Sequence, residues 1–313
     1  MFGYLLRRVL ATIPVMAIVA LFVFSLLYIA PGDPAAVIAG DQASPEDVEK
    51  IRRSLGLDRP FLVRFTEWSL QVIRGDLGTS MFTGLPVTEL IRQRLEPTVS
   101  LMVVTLFLAI GVAVPAGVIA AWQAGTWIDR LVMAFAVLGF SVPVFIVGYL
   151  LAYVFALQLD WLPVQGYTPI ASGFWPWLEN LILPAIALGF VFMALIARIT
   201  RATMLEVLSQ DYVRTARSKG VSEGNILFLH ALKNAAVPIV TVVGIGVALL
   251  IGGAVVTESV FAIPGLGRLT IDAIVRRDYP LIQGIVLMFS FTYVLVNLAI
   301  DLIYTLLDPR IRY

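Results

Sequence analysis

The chain has 313 residues, of which 59% are hydrophobic and only 14% charged. A soluble domain carries about a quarter charged residues, and here the apolar residues fall in long blocks, so the solvent this sequence is built for is a bilayer. A net charge of +1 gives no basic surface for a nucleic acid. The lack of cysteine removes thiolate chemistry, and a single histidine, His230, leaves no room for a zinc site or a Ser/His/Asp triad.

Crossing roughly 30 Å of hydrocarbon takes roughly 20 residues at about 1.5 Å rise each. Six stretches qualify: about 9–30, 98–121, 131–157, 181–200, 236–257 and 282–306. The first follows Arg7 and Arg8 as a signal peptide would, but its apolar run is longer than the roughly 7–15 residues of a signal core. It is therefore predicted as a span. Pro14, Pro115, Pro143 and Pro184 are expected to kink or start spans. Trp122, Trp127, Trp161, Trp175 and Trp177 are expected as interface anchors.

Residues 31–97 predict a small helical insertion. Ser44 is placed as an N-cap, with Pro45 at the first helical position, Asp47 at the third, and Gly56 as the stop. A second helix is predicted from Pro60 to Arg74, with Phe61, Phe65, Trp68 and Val72 on one stripe and Gly75 closing it. A third is predicted from Pro86 to Glu96, ended by Pro97. The organisation expected is thus 1–30 as N-terminal segment and first span, 31–97 as extracytoplasmic insertion, and 98–313 as a five-helix core.

Orientation follows from Lys and Arg in the short loops. The N-terminus, the tail with Arg310 and Arg312, and the 201–235 loop are basic, whereas 158–180 has no Lys or Arg. Both termini and the 201–235 loop are therefore predicted cytoplasmic. The basic residues of 258–281 run against this pattern.

The 201–235 loop holds Asp211-Tyr-Val-Arg-Thr-Ala-Arg-Ser-Lys-Gly220-Val-Ser-Glu-Gly-Asn225. Asp211 is read as an N-cap and Gly220 as a left-handed stop before a second short helix. A plain positive-inside loop need not be this long or this mixed in charge. Ala216 and Gly220 let a partner backbone come close, while the flanking charges fix register.

With Ala30-Pro-Gly-Asp-Pro34, Gly75-Asp-Leu-Gly-Thr-Ser80, Pro264-Gly-Leu-Gly267, Arg277-Asp-Tyr-Pro280, Gly284 and Asp308-Pro-Arg-Ile-Arg-Tyr313, the loop extends a series of motifs along nearly the whole chain. In this series the chain resembles ABC-importer permeases of the dipeptide/oligopeptide/nickel branch. Arg214 and Thr215 stand where Glu and Ala are usual in the general coupling-loop pattern.

The resemblance implies an all-α integral membrane protein with the type I ABC-importer permease fold, multi-pass in a bacterial cytoplasmic membrane. It implies a coupling segment of Asp211, Tyr212, Arg214, Thr215, Ala216, Arg217, Lys219, Gly220, Val221 and Glu223 seated on a cytoplasmic ATPase. It also implies a second permease subunit of different sequence, two ATPase subunits and an external substrate-binding protein. ATP and Mg belong to the ATPases. None of Lys50, Lys219 and Lys233 lies in a Gly-x-x-x-x-Gly-Lys-Ser/Thr loop, so no cofactor is expected on this chain. Di- and oligopeptides lead as cargo, with nickel complexes, glutathione and other small solutes left open.

Within the fifth span, Gly244, Ala248 and Gly252 are four apart on one face, which reads as close helix packing or as the border of a wide pathway. Glu258 at its outer end reads as a pathway carboxylate or as one snorkelling to the interface. Asp301 is placed near the inner boundary of the sixth span, and His230 in solvent or against the ATPase. An ion-driven transporter would carry paired ionisable groups near the midplane, and an intramembrane hydrolase would carry a Ser/His, Asp/Asp or zinc constellation. The sequence shows neither.

Overall fold

The computed structural model describes residues 2–29, 35–36, 44–54 and 57–307. The Ala30–Pro34 motif, the stop at Gly56 and the Asp308–Tyr313 tail lie outside them. The described residues form helices: α1 (Phe2–Ile29), α2 (Pro45–Ser54), α3 (Phe61–Ile73), α4 (Val87–Trp122), α5 (Trp127–Ser141), α6 (Val144–Leu151), α7 (Phe174–Leu208), α8 (Asp211–Ser218), α9 (Leu232–Val260), α10 (Leu266–Arg276) and α11 (Tyr279–Leu307). Wide π turns continue α6 over Ala152–Gln158 and lead into α9 over Asn225–Ala231. Among the described residues, five helices are long and apolar enough to span, six if the bent pair α5–α6 is one span.

Two predicted elements are corrected. The third insertion helix does not end at Pro97, because α4 runs through Pro97 and Pro115. A proline costs one backbone hydrogen bond and some strain, and a long helix packed among neighbours absorbs that. The third span, by contrast, is not one rod, since α5 and α6 meet at 109°. Val142 is extended (φ −104°, ψ 122°) before Pro143, as the proline ring demands of the residue ahead of it.

The structure divides into two units, residues 1–95 with 268–294, and residues 96–267 with 295–313. In the first unit, α2 starts as its sequence predicts. The Asp47 N–H donates to Ser44 Oγ at 3.2 Å and the Ser44 hydroxyl donates to Asp47 Oδ2 at 2.7 Å. This hydroxyl first, then Lys50, holds the Asp47 carboxyl below its ordinary value. The contribution is therefore present above the ordinary aspartate pKa and is lost as pH falls through the lowered one. The predicted stripe of α3 packs on the end of α1, with Phe24 contacting the rings of Phe61, Phe65 and Trp68 at 5.2–5.5 Å between centroids.

Two of the sequence motifs are joined here. In Gly75–Ser80 the Gly78 N–H donates to Asp76 Oδ1, closing a turn. The Ser80 hydroxyl then donates to the buried Asp278 carboxylate at 2.5 Å, and the Met81 N–H donates to its other oxygen at 3.2 Å. Arg277, at φ 54°, ends α10, and Asp278 accepts from the Leu281 N–H at the start of α11. The two motifs are thus one buried staple, which their separation in sequence hides.

In the second unit, α7 is the central helix, with 67% of its most apolar window buried. Neighbours approach it at glycines. A Cβ on Gly117 of α4 would meet Thr200 and the Ala197 carbonyl, one on Gly139 of α5 would meet Ala194, and one on Gly246 of α9 would meet the Phe192 ring. With little hydrophobic drive between helices in lipid, such close contacts are what hold them together. Trp177, expected at the interface, is instead part of this core, because it lies on the side of its helix that neighbours cover. Trp122, Trp127, Trp161 and Trp175 are exposed.

Candidate functional site

The 211–225 segment is a short, well-stopped helix. Gln210 rather than Asp211 is the N-cap, and Asp211 occupies the first helical position, where its charge still opposes the helix dipole. The far end is a Schellman stop: Gly220 sits at φ 77°, its N–H donates to the Arg217 carbonyl at 2.9 Å, and the Val221 N–H donates to the Ala216 carbonyl at 3.2 Å. The second short helix expected after Gly220 is not separate. Residues 225–231 run without a break into α9, giving one continuous rod of 36 residues from Asn225 to Val260.

Three contacts fix α8 to that rod. Val213 is fully buried, although it is not among the residues the motif flagged. Its signal was available, as a single branched aliphatic in a polar helix. The Arg217 guanidinium donates to both oxygens of Glu223, at 2.8 and 3.3 Å. That carboxylate holds Arg217 above its ordinary pKa. Asn234 donates to the Tyr212 hydroxyl at 3.0 Å.

With these residues committed inward or sideways, the face left outward carries Asp211, Arg214, Thr215, Ser218 and Lys219, all exposed. Arg214 and Asp211 stand 3.8 Å apart on that face. Ala216 and Val221 are half-buried at its margin. His230 is exposed on the adjoining turn.

The fifth-span residues do not act as one face. Gly244 is buried, where a Cβ would strike Ile300 of α11. Ala248 is half-buried, whereas Gly252 is exposed, with nothing within 4 Å of the point a methyl would occupy. Close packing is thus made by Gly244 against Ile300, Gly246 against Phe192 and Gly253 against Leu188.

Glu258 does not snorkel. It is fully buried, its carboxylate accepts from the Thr98 hydroxyl at 2.5 Å, and Thr98 Oγ1 accepts from the Leu266 N–H at 2.8 Å. A Cβ on Gly265 or Gly267 would collide with that carboxylate. The Pro264–Gly267 motif is therefore the turn that lets backbone pass over Glu258 at the start of α10.

A further pair escaped the sequence reading. Arg201, counted among loop cations, lies within α7 and pairs with the buried Asp129 through both oxygens, one at 2.7 Å, while the Gly125 N–H donates to Asp129 at 2.9 Å. Asp129→Asn is expected to cost about 1.5–3 kcal/mol, the range for a hydrogen bond to a charged group. A thermal melt of the purified protein in detergent measures it, and an unchanged Tm would show the pair to be idle.

Set beside known proteins, residues 113–313 match the family described as binding-protein-dependent transport system inner membrane component, and residues 1–102 match the N-terminal family of such membrane components. The chain is 56% identical over 310 residues, 99% of each chain, to a probable peptide ABC transporter permease of Sinorhizobium fredii. It is 47% identical over 313 residues, all of both chains, to a putative peptide transport system permease of Brucella abortus. It is 42% identical over 313 residues, again all of both, to a glutathione transport system permease of Escherichia coli. Among solved structures it is similar in fold to an inward-facing methionine ABC transporter, with TM-score 0.58 and 18% identity over 70% of this chain and 96% of that one.

Proposed function

Since this chain belongs to the binding-protein-dependent transport system inner membrane components, and so is a multi-pass transport permease, we propose that it forms half of an import pathway for di- and oligopeptides. The pathway's other half is a second, different permease subunit, the cargo arrives on an external binding protein, and the complex sits in a bacterial cytoplasmic membrane. Two ATPase subunits carry the ATP and Mg. The outward face of α8, from Asp211 to Lys219, docks on one of them.

The observation that carries this is the construction of α8. Its buried Val213, its ion pair to Glu223 and its bond to Asn234 leave one polar face free on a helix rigidly joined to a 36-residue span-length rod. ATP-driven movement of a partner gripping that face is transmitted straight to α9. The similarity to peptide permeases supports peptides as cargo. The similarity to a glutathione permease favours a second reading, in which the cargo is that one tripeptide.

The test is the assembled transporter in liposomes, with its binding protein outside and ATP inside. Uptake of labelled di- and tripeptides that is driven by ATP, and lost on omitting the ATPase, is the expected result. Competition by glutathione alone would move the cargo to the second reading. Uptake driven by an ion gradient without ATP would sink both.

A further inference from the structure

We propose that α3 is an interfacial helix, lying in the surface of the lipid bilayer at the Ile29 end of α1 with Leu62, Leu70 and Ile73 immersed. Three observations converge on lipid as the occupant of that face.

The first is the circumference of the helix. At about 100° per residue, Trp68, Phe61, Val72 and Phe65 are followed round the wheel by Leu62, Ile73, Leu70 and Val63, so apolar positions sweep about 220°, interrupted by Ser69 and by Thr66, whose hydroxyl donates to the Val63 carbonyl at 2.8 Å. A stripe of about 100° suffices for a helix that merely covers a protein core. The polar remainder is a narrow strip of Arg64, Glu67, Gln71 and Arg74.

The second is what covers each part. The rings of Phe61, Phe65 and Trp68 are taken by Phe24, and Phe61 also by Tyr28. Arg64, Glu67 and Gln71 line, with Arg59 and Gln283, a cavity whose other walls are largely apolar, and Arg59 donates to Glu67 at 2.9 Å. The remaining apolar arc has no cover within the described residues. Leu62 is 71% exposed, Leu70 55% and Ile73 81%. Protein on one flank, polar groups on the other and bare aliphatics between them is the cross-section of a helix lying at a membrane surface.

The third is height. Phe24 lies five residues before the end of α1 at Ile29, so α3 packs beside the last ~7.5 Å of a spanning helix rather than above it. Gln283, the fifth residue of α11, donates to the Val23 carbonyl at 3.4 Å, which sets the start of a second span at that level. Interfacial helices seat their apolar face about 5–10 Å into the headgroup and acyl boundary. Around this level α1 itself presents bare apolar residues, Phe22 and Ile29, to lipid, so the arc of α3 continues a surface that already faces the bilayer. Tyr28, whose hydroxyl accepts from Arg64 at 2.5 Å, gives the junction the aromatic and cationic pairing favoured at interfaces.

The chain has no cysteine, which makes the test direct. Leu62→Cys, Leu70→Cys and Ile73→Cys are each spin-labelled in the full transporter, its other subunits made cysteine-free, in phosphatidylethanolamine and phosphatidylglycerol liposomes. Gln71→Cys reports the polar strip, and Ile18→Cys reports lipid contact on α1. The expected result is collision several-fold more frequent with oxygen than with a water-soluble nickel chelate at 62, 70 and 73, as at 18, and the reverse at 71. Chelate-dominated collision at all three positions would overturn the proposal in favour of an aqueous face. Shielding from both reagents would overturn it in favour of cover by another protein, either the second permease or the binding protein.

Discussion

Gly246→Ala is expected to destabilise the protein by about 2–3 kcal/mol, the upper range for overpacking a core, whereas Gly252→Ala, six residues along the same helix, is expected to be neutral or slightly stabilising. In each case one methyl is added to α9. At Gly246 it falls within the ring of Phe192, which is 2% exposed and enclosed by the core around α7, so either the ring must leave its site or α9 must back away. At Gly252 nothing lies within 4 Å, and an alanine there gains up to about 1 kcal/mol of helix propensity. Against a total stability of about 5–15 kcal/mol, the first change should visibly lower Tm and yield in detergent. Adding Phe192→Ala to Gly246→Ala should recover part of the loss, since the two sites share one contact. Equal Tm values for the two glycine variants would show that α9 does not pack on α7 as described.

Gly220→Val should reduce ATP-driven uptake roughly tenfold or more while leaving the chain folded and in the membrane. Gly220 stands at φ 77°, where an L-residue pays about 1–2 kcal/mol and a β-branched one more. Since about 1.4 kcal/mol is tenfold in an equilibrium, the Schellman stop and its two hydrogen bonds would form in only a minority of molecules. No atom lies within 4 Å of the position a Cβ would take, so the loss cannot come from a clash inside the chain. Gly220→Asn, which tolerates the left-handed region, should keep most of the activity and provides the control. Both variants are measured for uptake in liposomes and for ATPase retained on the purified complex. Full activity of the valine variant would separate the shape of α8 from coupling.

Much of this was legible in the residues. Long apolar blocks can be nothing but spans, because only bilayer-length runs lack the polar face that a soluble helix keeps. Ser44 with Asp47, the Phe61–Phe65–Trp68–Val72 stripe and the stop at Gly220 were legible for a local reason: capping, amphipathicity and positive φ are properties of a few consecutive residues. The motif series pointed to the family before any coordinate was known.

What stayed hidden was whatever needed two distant stretches at once. Ser80 and Asp278 are 198 residues apart, Thr98 and Glu258 160, and Asp129 and Arg201 72. No periodicity links such pairs, so Glu258 read as a pathway or interface carboxylate and Arg201 as a loop cation until packing enclosed them. Proline was legible only in part: Pro143 bends the chain by 109°, as expected of it, whereas Pro97, expected to end a helix, is carried within one that its neighbours support. The sequence by itself determined that the chain spans a membrane, where most of its helices lie and which family it belongs to. Tertiary structure alone decided which glycines touch a neighbour, which charges are buried and which apolar face of α3 is left bare, because each depends on what the fold brings beside a residue and not on the residue or its spacing.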